Sequence, residues 1–591
     1  MSILFSMTLT TLAALALLSP AWAGEGSSQE EPPAGKTPIV RTADLDRGEA
    51  QEVELADGSK VRLKLLDLEE VRDPLRNAVR EARVRVEVNG ETVTLASAMY
   101  HLPVTVAGVQ IDCPITRGLT DNSSKQNVWG LTKHARFRVW PAGSPWIEPG
   151  TFTYPVRQRW FASDTQMANE PTFVNGDERT GKTSIYYHYG LDFGGAEGLV
   201  EVVAATDGTV VSAAGQTLAE HQDSPAKPRY DVIYVVDQRG WYYRYSHLMT
   251  VEAKPGQRVR MGQRIGVLGK EGGSGGWSHL HFDITSRQPS GLWGIQDAYA
   301  YAWAAYRKQY APQIIAVARP HHLVAVGGKV KLDGSKSWSA AGQIARYEWT
   351  CTDGSRAAGP VVERTYAQPG TYSEILQVTD AAGQTDWDFA VVQVADPAKP
   401  QELPPTIHAA YYPTTNLRPG DPITFKVRTF RTTHGEERWD FGDGSPPVTV
   451  QSDGNANVHA KDGYAVTQHA YAKPGDYLAR VERTNERGET AIGHVHVRIE
   501  PPFQARTSVS IRDGQRLING QVTYPGTRTK GLLMNVRMVN SVFEDRRQPS
   551  FDAQANTDAF LKMIPDYAAH GVRAFTICLQ GGISPLLTRC R

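Results

Sequence analysis

Over most of the chain, apolar and polar residues alternate with a period of two. Gly, Pro and Asn interrupt the alternation at short intervals, so the pattern predicts short, half-buried strands. The stretch VRVEVNGETVTL (84–95) alternates on both sides of Asn89-Gly90 and reads as a hairpin. PVTVAGVQIDC (103–113) and ARFRVWPAG (135–143) read as further strands. Helical spacing is confined to two places. Tyr299, Trp303, Tyr306 and Tyr310 form an aromatic stripe that predicts a packed helix near 296–310. Residues 552–570 predict a second helix, broken or kinked at Pro565 and capped by Gly571. It lies between two buried strands, LLMNVRMVN and VRAFTICLQGG, which makes a βαβ unit. The fold class expected is mainly β and multidomain.

One apolar run stands apart. Residues 8–18 (TLTTLAALALL) are too few to span a bilayer and precede Ala21-Trp22-Ala23, an A-x-A cleavage pattern. Residues 1–23 are expected to be a cleaved secretory signal, although no Lys or Arg precedes the apolar run. Residues 24–39, rich in Gly, Ser and Pro, are expected to be a linker. This places the protein outside the cytoplasm, secreted, periplasmic or on the cell surface, without stable membrane insertion.

Composition narrows the classes. Lys plus Arg and Asp plus Glu are both 63, so the net charge is zero, which argues against a general nucleic-acid binder. Apolar residues at 40% give too much core for a disordered chain. The length of 591 residues accommodates several domains. Cys113, Cys351, Cys578 and Cys590 are scattered without a C-x-x-C pair, which argues against a thiolate zinc cluster or a disulfide framework. A Cys578–Cys590 pairing stays open.

Three motifs carry chemistry. They are His188-Tyr-Gly-Leu-Asp192, Tyr245-Ser-His247-Leu, and Ser278-His279-Leu-His281-Phe after the glycine-rich GGSGGW. On a strand, residues i and i+2 share a face, so His279 and His281 project together. Gly190 permits a bend that returns Asp192 beside His188. Two histidines and a carboxylate make a three-ligand zinc site with a fourth position left for water. Zinc brings the pKa of such a water to about 7. Two further histidines can move protons and stabilise an oxyanion. A lone H-x-H is weaker evidence: His494-Val-His496 has no H-x-G-x-D in its own domain, and it and His321-His322 read as ordinary strand histidines.

Residues 184–286 closely resemble the lysostaphin/LytM-type zinc endopeptidases. The resemblance includes VVAATDGTVVSAAG, KPGQRVRMGQRIGVLG and GGSGGWSHLHFDI. It implies His188, Asp192 and His281 as ligands of one zinc ion per chain, and His247 and His279 as catalytic histidines. Two segments depart from compact members, 215–230 as a longer loop and 287–296 as a different ending.

Downstream, an internal repeat pairs Tyr347-Glu-Trp349, TYAQPGTY and VTDAAGQTD with WDFGDG (439–444), HAYAKPGDY and RTNERGET. This resembles the PKD family of Ig-like sandwiches, the second copy more fully. Asp440 and Asp443 do not fit an EF-hand spacing and are expected to stabilise a turn. The C-terminal βαβ resembles the opening of a glycoside-hydrolase (β/α)-barrel, without the later strands that would bear its carboxylates.

The expected order is signal 1–23, linker 24–39, a β-rich domain 40–175 of unknown role, and a LytM-type peptidase domain 176–312. PKD-like sandwiches follow at 315–396 and 405–500, then an incomplete barrel-like segment at 503–591. The resemblance implies a secreted zinc endopeptidase acting on peptidoglycan or another peptide substrate, with polysaccharide or cell-surface contact through the PKD-like domains. The alternative is a non-catalytic wall-binding or scaffold protein.

Overall fold

The computed structural model describes residues 37–125, 127–171, 185–399, 402–502, 507–538 and 553–577. The expected signal and the Cys578 and Cys590 positions lie outside these residues. Cys113 and Cys351 are buried free thiols. The chain divides into two compact units, 1–501 and 502–591. It is mostly β, as the period-two pattern predicts.

The first unit begins with two four-stranded sheets. One orders Arg41–Leu45, Ala135–Pro141, Val109–Thr116 and Val104–Val106, the other Ala50–Glu54, Lys60–Arg72, Val79–Val88 and Glu91–Ala98. Alternate residues of both, among them Leu63, Val84, Val86, Ile111 and Phe137, form one core. The Asn89-Gly90 hairpin is present, with both turn residues at positive φ and Val88 opposite Glu91.

Next comes a nine-stranded sheet. Its central path includes Ile233–Val236, Tyr242–Ser246, His279–Arg287, Leu191–Gly194 and Thr165–Gln166. Behind it lie Leu280, Phe282 and Ile284, alternating with the histidines of the same strand, and the helix Tyr299–Tyr310 with its buried aromatic stripe. This core extends upstream across the expected 175/176 boundary. It contains Trp140, Phe152, Tyr154, Val156 and Trp160, with Phe152 against Phe282 at 6.1 Å and Tyr154 against Phe193 at 5.2 Å. Burial of each is worth about 1.5–3 kcal/mol, together about 10 kcal/mol, which is the scale of a whole domain's stability. A chain lacking residues 24–175 is therefore expected to lose cooperative thermal unfolding. A sharp calorimetric transition near that of the full chain would contradict this.

Two sandwiches follow. In the first, Trp349, Leu376, Val378, Ala390 and Val392 are buried together. In the second, Trp439, Phe441, Phe425, Val481 and Val497 are. A parallel pairing of Thr371 with Ala491 joins them edge to edge. Asp440 accepts from the N–H of Gly442, and Asp443 accepts from the N–H of Ser445 and pairs with His469, so both serve the turn. His494 bonds Ser373 and stacks on Phe389, while His496 bonds Asp476. Neither joins a metal-ligand group among the described residues.

In the second unit, Asn535–Met538 and Ala574–Ile577 pair in parallel, and the helix Ala553–Ala569 lies between them in sequence. The helix continues through Pro565 instead of ending there. Proline removes one intrahelical bond. Phe560 and Tyr567, on either side of Pro565, both pack edge-on against Phe575 at 5.6 Å and hold the two halves on one strand.

Candidate metal centre

The sheet register assembles the site. Asp192 lies directly opposite His281, Gly194 opposite His279, and Ser246 opposite His281 on the other side. His279 and His281 therefore emerge on one face between the strand carrying Asp192 and the strand that ends at Ser246, just before His247. His247 adopts a positive φ of 67°, which turns its ring off the strand end. Gly190, at φ 89°, lets His188 return over the sheet. A Cβ there would sit 2.6 Å from the carbonyl oxygen of Phe282, so any other residue would displace backbone.

Three atoms converge. His188 Nε2 lies 2.8 Å from His281 Nδ1, and each is 3.0 Å from Asp192 Oδ1. Second contacts fix which nitrogen carries the proton in each ring. His188 Nδ1 donates to the carbonyl of Met167 at 3.1 Å, which leaves Nε2 with a lone pair. His281 Nε2 donates to Asp283 at 3.1 Å, which leaves Nδ1 as the nitrogen open to a metal. Two lone pairs and a carboxylate oxygen this close together suit a cation held at about 2 Å, the usual zinc–nitrogen and zinc–oxygen distance. The donor set thus fits zinc.

His247 and His279 stand beside this trio, with ring centroids 4.7 Å apart. His247 Nδ1 donates to the carbonyl of Glu271 at 2.6 Å, and His279 Nδ1 to that of Trp277 at 2.9 Å. A carbonyl can only accept, so both rings present an unprotonated Nε2. His279 Nε2 lies 3.4 Å from Asp192 Oδ2.

All five side chains are buried, between 3% and 6% exposed, and this drives the electrostatics. Burial lowers the pKa of His247, and lowers that of His279 far more. Burial also pulls on His281, but the bonds to Asp192 and Asp283 outweigh it and raise the imidazole to about 9, so a bound metal takes the place of the Nδ1 proton of the metal-free ring. Burial would raise Asp192, but the adjacent histidines hold it well below the usual carboxylate range.

The motifs did not reveal the supporting groups. Asp231 accepts from the backbone N–H of His247 at 3.0 Å and forms a bidentate pair with Arg229. Arg244 reaches Asp283 at 3.4 Å and the hydroxyl of Tyr189 at 3.2 Å. Arg229 belongs to the segment read from sequence as a longer loop; its side chain reaches into the site. Asp283 was within reach of period two, because His279, His281 and Asp283 share a face. No local signal marks Asp231.

The second sandwich grips the glycine-rich loop. The N–H of Ser278 donates to the Tyr464 hydroxyl at 2.8 Å. Arg428 donates to the carbonyl of Gly276 at 2.8 Å, and Asn455 to that of Gly275 at 3.0 Å. This loop runs directly into His279, so contacts from a distant module set its path.

A β-sheet floor bearing a His-Asp-His donor set and two neutral histidines defines a candidate centre for metal-assisted hydrolysis. Residues 186–290 match the model of peptidase family M23, and residues 310–394 and 408–497 each match a PKD domain model. The chain carries an M23 peptidase domain followed by two PKD domains. Among solved structures, it is similar to the catalytic domain of the antimicrobial peptidase lysostaphin from Staphylococcus simulans. The identity is 24%, over 24% of this chain and 92% of that one, with a TM-score of 0.18. A variant catalytic domain of the prophage-encoded M23 protein EnpA from Enterococcus faecalis matches at 18% identity, over 26% and 95% of the two chains, with a TM-score of 0.16. A putative peptidase M23 from Pseudomonas aeruginosa matches at 15% identity, over 44% and 94%, with a TM-score of 0.19.

Proposed function

We propose that this protein is a secreted zinc endopeptidase that hydrolyses peptide bonds in bacterial peptidoglycan cross-links. The observation that carries the reading is the convergence of three lone-pair atoms from His188, Asp192 and His281 beside two neutral histidines, within the segment that matches a peptidase family. In this reading those three residues hold one zinc ion. Zinc, when bound, supplies a Lewis acid and lowers the pKa of water towards 7. The remaining work belongs to the chain. The bare Nε2 of one of the two rings, His247 or His279, accepts the proton of the attacking water. That protonated imidazole steadies the oxyanion and then passes the proton to the amide nitrogen as the C–N bond breaks.

The substrate class rests on the lysostaphin/LytM resemblance of residues 184–286. The PKD domains are read as contacts to polysaccharide or the cell surface. Export is assigned to residues 1–23. Among the described residues, no helix is long and apolar enough to cross a membrane.

The test is to incubate the purified chain with peptidoglycan and follow new free amino groups and reducing ends separately. Amino groups without reducing ends are expected; reducing ends alone would replace the reading with a glycosidase. A finer prediction concerns Asp283. Asp283→Asn loosens the orientation of His281 and is expected to weaken zinc binding about 10–100-fold in competition with a chromophoric chelator. Unchanged affinity would remove Asp283 from the site.

A further inference from the structure

A cavity of about 60 Å³ lies where three modules meet. Asp164 and Trp277 reach it from the peptidase region, Gln393 from the first PKD domain and Thr406 from the start of the second. Gln393 is only 2% exposed, yet neither its amide nitrogen nor its amide oxygen has a hydrogen-bond partner. The Thr406 hydroxyl and the Trp277 indole N–H are likewise buried and unpartnered. Leaving one such group unpaired is costly, and here several line one space.

The wall selects against an anion. His408 uses both ring nitrogens, on Ser163 at 2.6 Å and Tyr464 at 2.8 Å, and burial lowers it to about 3. Burial also lowers His322 to about 3, so neither offers a cation to an anionic ligand. Asp164 lies 3.6 Å from Arg319, whose guanidinium is held more closely by Asp388 at 3.1 Å, so the wall keeps a carboxylate that repels an anion. The groups left over are two donors of fixed sense, an acceptor of fixed sense, and a hydroxyl that can do either. That set complements an uncharged carboxamide.

The cavity also adjoins the chemistry. Trp277 stacks on His279 at 4.1 Å between centroids, so one ring thickness separates this space from a proposed catalytic histidine. We propose that the cavity is a subsite for an uncharged carboxamide of the peptide substrate, completed by Gln393 and Thr406 of the PKD domains. It rests on the peptidase reading for the identity of the ligand. It makes the two PKD domains part of substrate recognition and not only wall anchors.

The test uses the full chain, stripped of metal so that neither hydrolysis nor metal–carboxylate binding contributes. Saturation-transfer NMR compares propionamide with its charged isostere propionate. Wild type is expected to give a signal with propionamide and none with propionate. Gln393→Leu, which keeps the shape and removes the amide, is expected to weaken the propionamide signal about three- to tenfold without lowering the thermal midpoint. Thr406→Val is the second variant. In the metal-loaded chain, Gln393→Leu is expected to raise the apparent KM for peptidoglycan about three- to tenfold with kcat unchanged. Equal signals from the two probes, no signal from either, or variants indistinguishable from wild type would overturn the subsite. If the loaded chain hydrolyses nothing, the peptidase reading falls, and the NMR comparison still decides the subsite.

Discussion

Replacing His281 with alanine is expected to remove the bound metal and about a thousandfold or more of the hydrolysis together. Its Nδ1 forms one corner of the donor triangle, 2.8 Å from His188 Nε2 and 3.0 Å from Asp192 Oδ1. Two donors remain after the substitution, and zinc sites of this kind need three. No other group of metal-ligating side chains exists among the described residues to replace the lost corner. Lewis acidity contributes several kcal/mol to the barrier, and each 1.36 kcal/mol is tenfold in rate, which sets the expected loss. The substitution also strips the buried Asp192 and Asp283 of a shared partner, at a cost of about 3–5 kcal/mol in stability. Metal analysis must therefore be read beside a melting curve. A folded variant that keeps one zinc and full activity would move the site elsewhere.

His247→Ala is expected to lower kcat by about 10²–10⁴ while zinc stays bound. The ring is not part of the donor triangle, so its loss leaves three ligands in place. What disappears is an imidazole whose tautomer is set by the carbonyl of Glu271 and whose backbone N–H is tied to Asp231. Burial keeps this imidazole neutral and ready to accept a proton. The separation of the two variants is the informative part: His281→Ala loses metal and rate, and His247→Ala loses rate alone. Loss of metal in both would mean that His247 acts through structure and not through proton transfer.

Much of this centre was legible in the chain because it is local. H-x-G-x-D and H-x-H each place their side chains by the geometry of a single strand or bend, and the sheet register then sets Asp192 opposite His281. The PKD repeats were legible because their signals are short and recur in the same order, a Trp strand followed by a Pro-Gly turn, at Trp349 and again at Trp439. What the sequence hid depends on contacts between distant segments. Asp231 meets His247 only because neighbouring strands align. Tyr464, Arg428 and Asn455 hold the loop before His279 across 186, 152 and 180 residues. Phe152, Tyr154 and Val156 alternate like any strand segment. No periodicity could tell that Phe152, Tyr154 and Trp160 pack against Phe282 and Phe193 and not against the two N-terminal sheets. The orphaned amide of Gln393 is likewise visible only once three modules meet.

The most direct measurement of the central claim is a zinc titration of the chelated chain, followed as free amino groups released from peptidoglycan. Activity is expected to be absent after chelation and to rise linearly with added zinc to a plateau at one equivalent per chain. Activity that survives complete chelation, or a fully loaded chain that releases no amino groups, would contradict it.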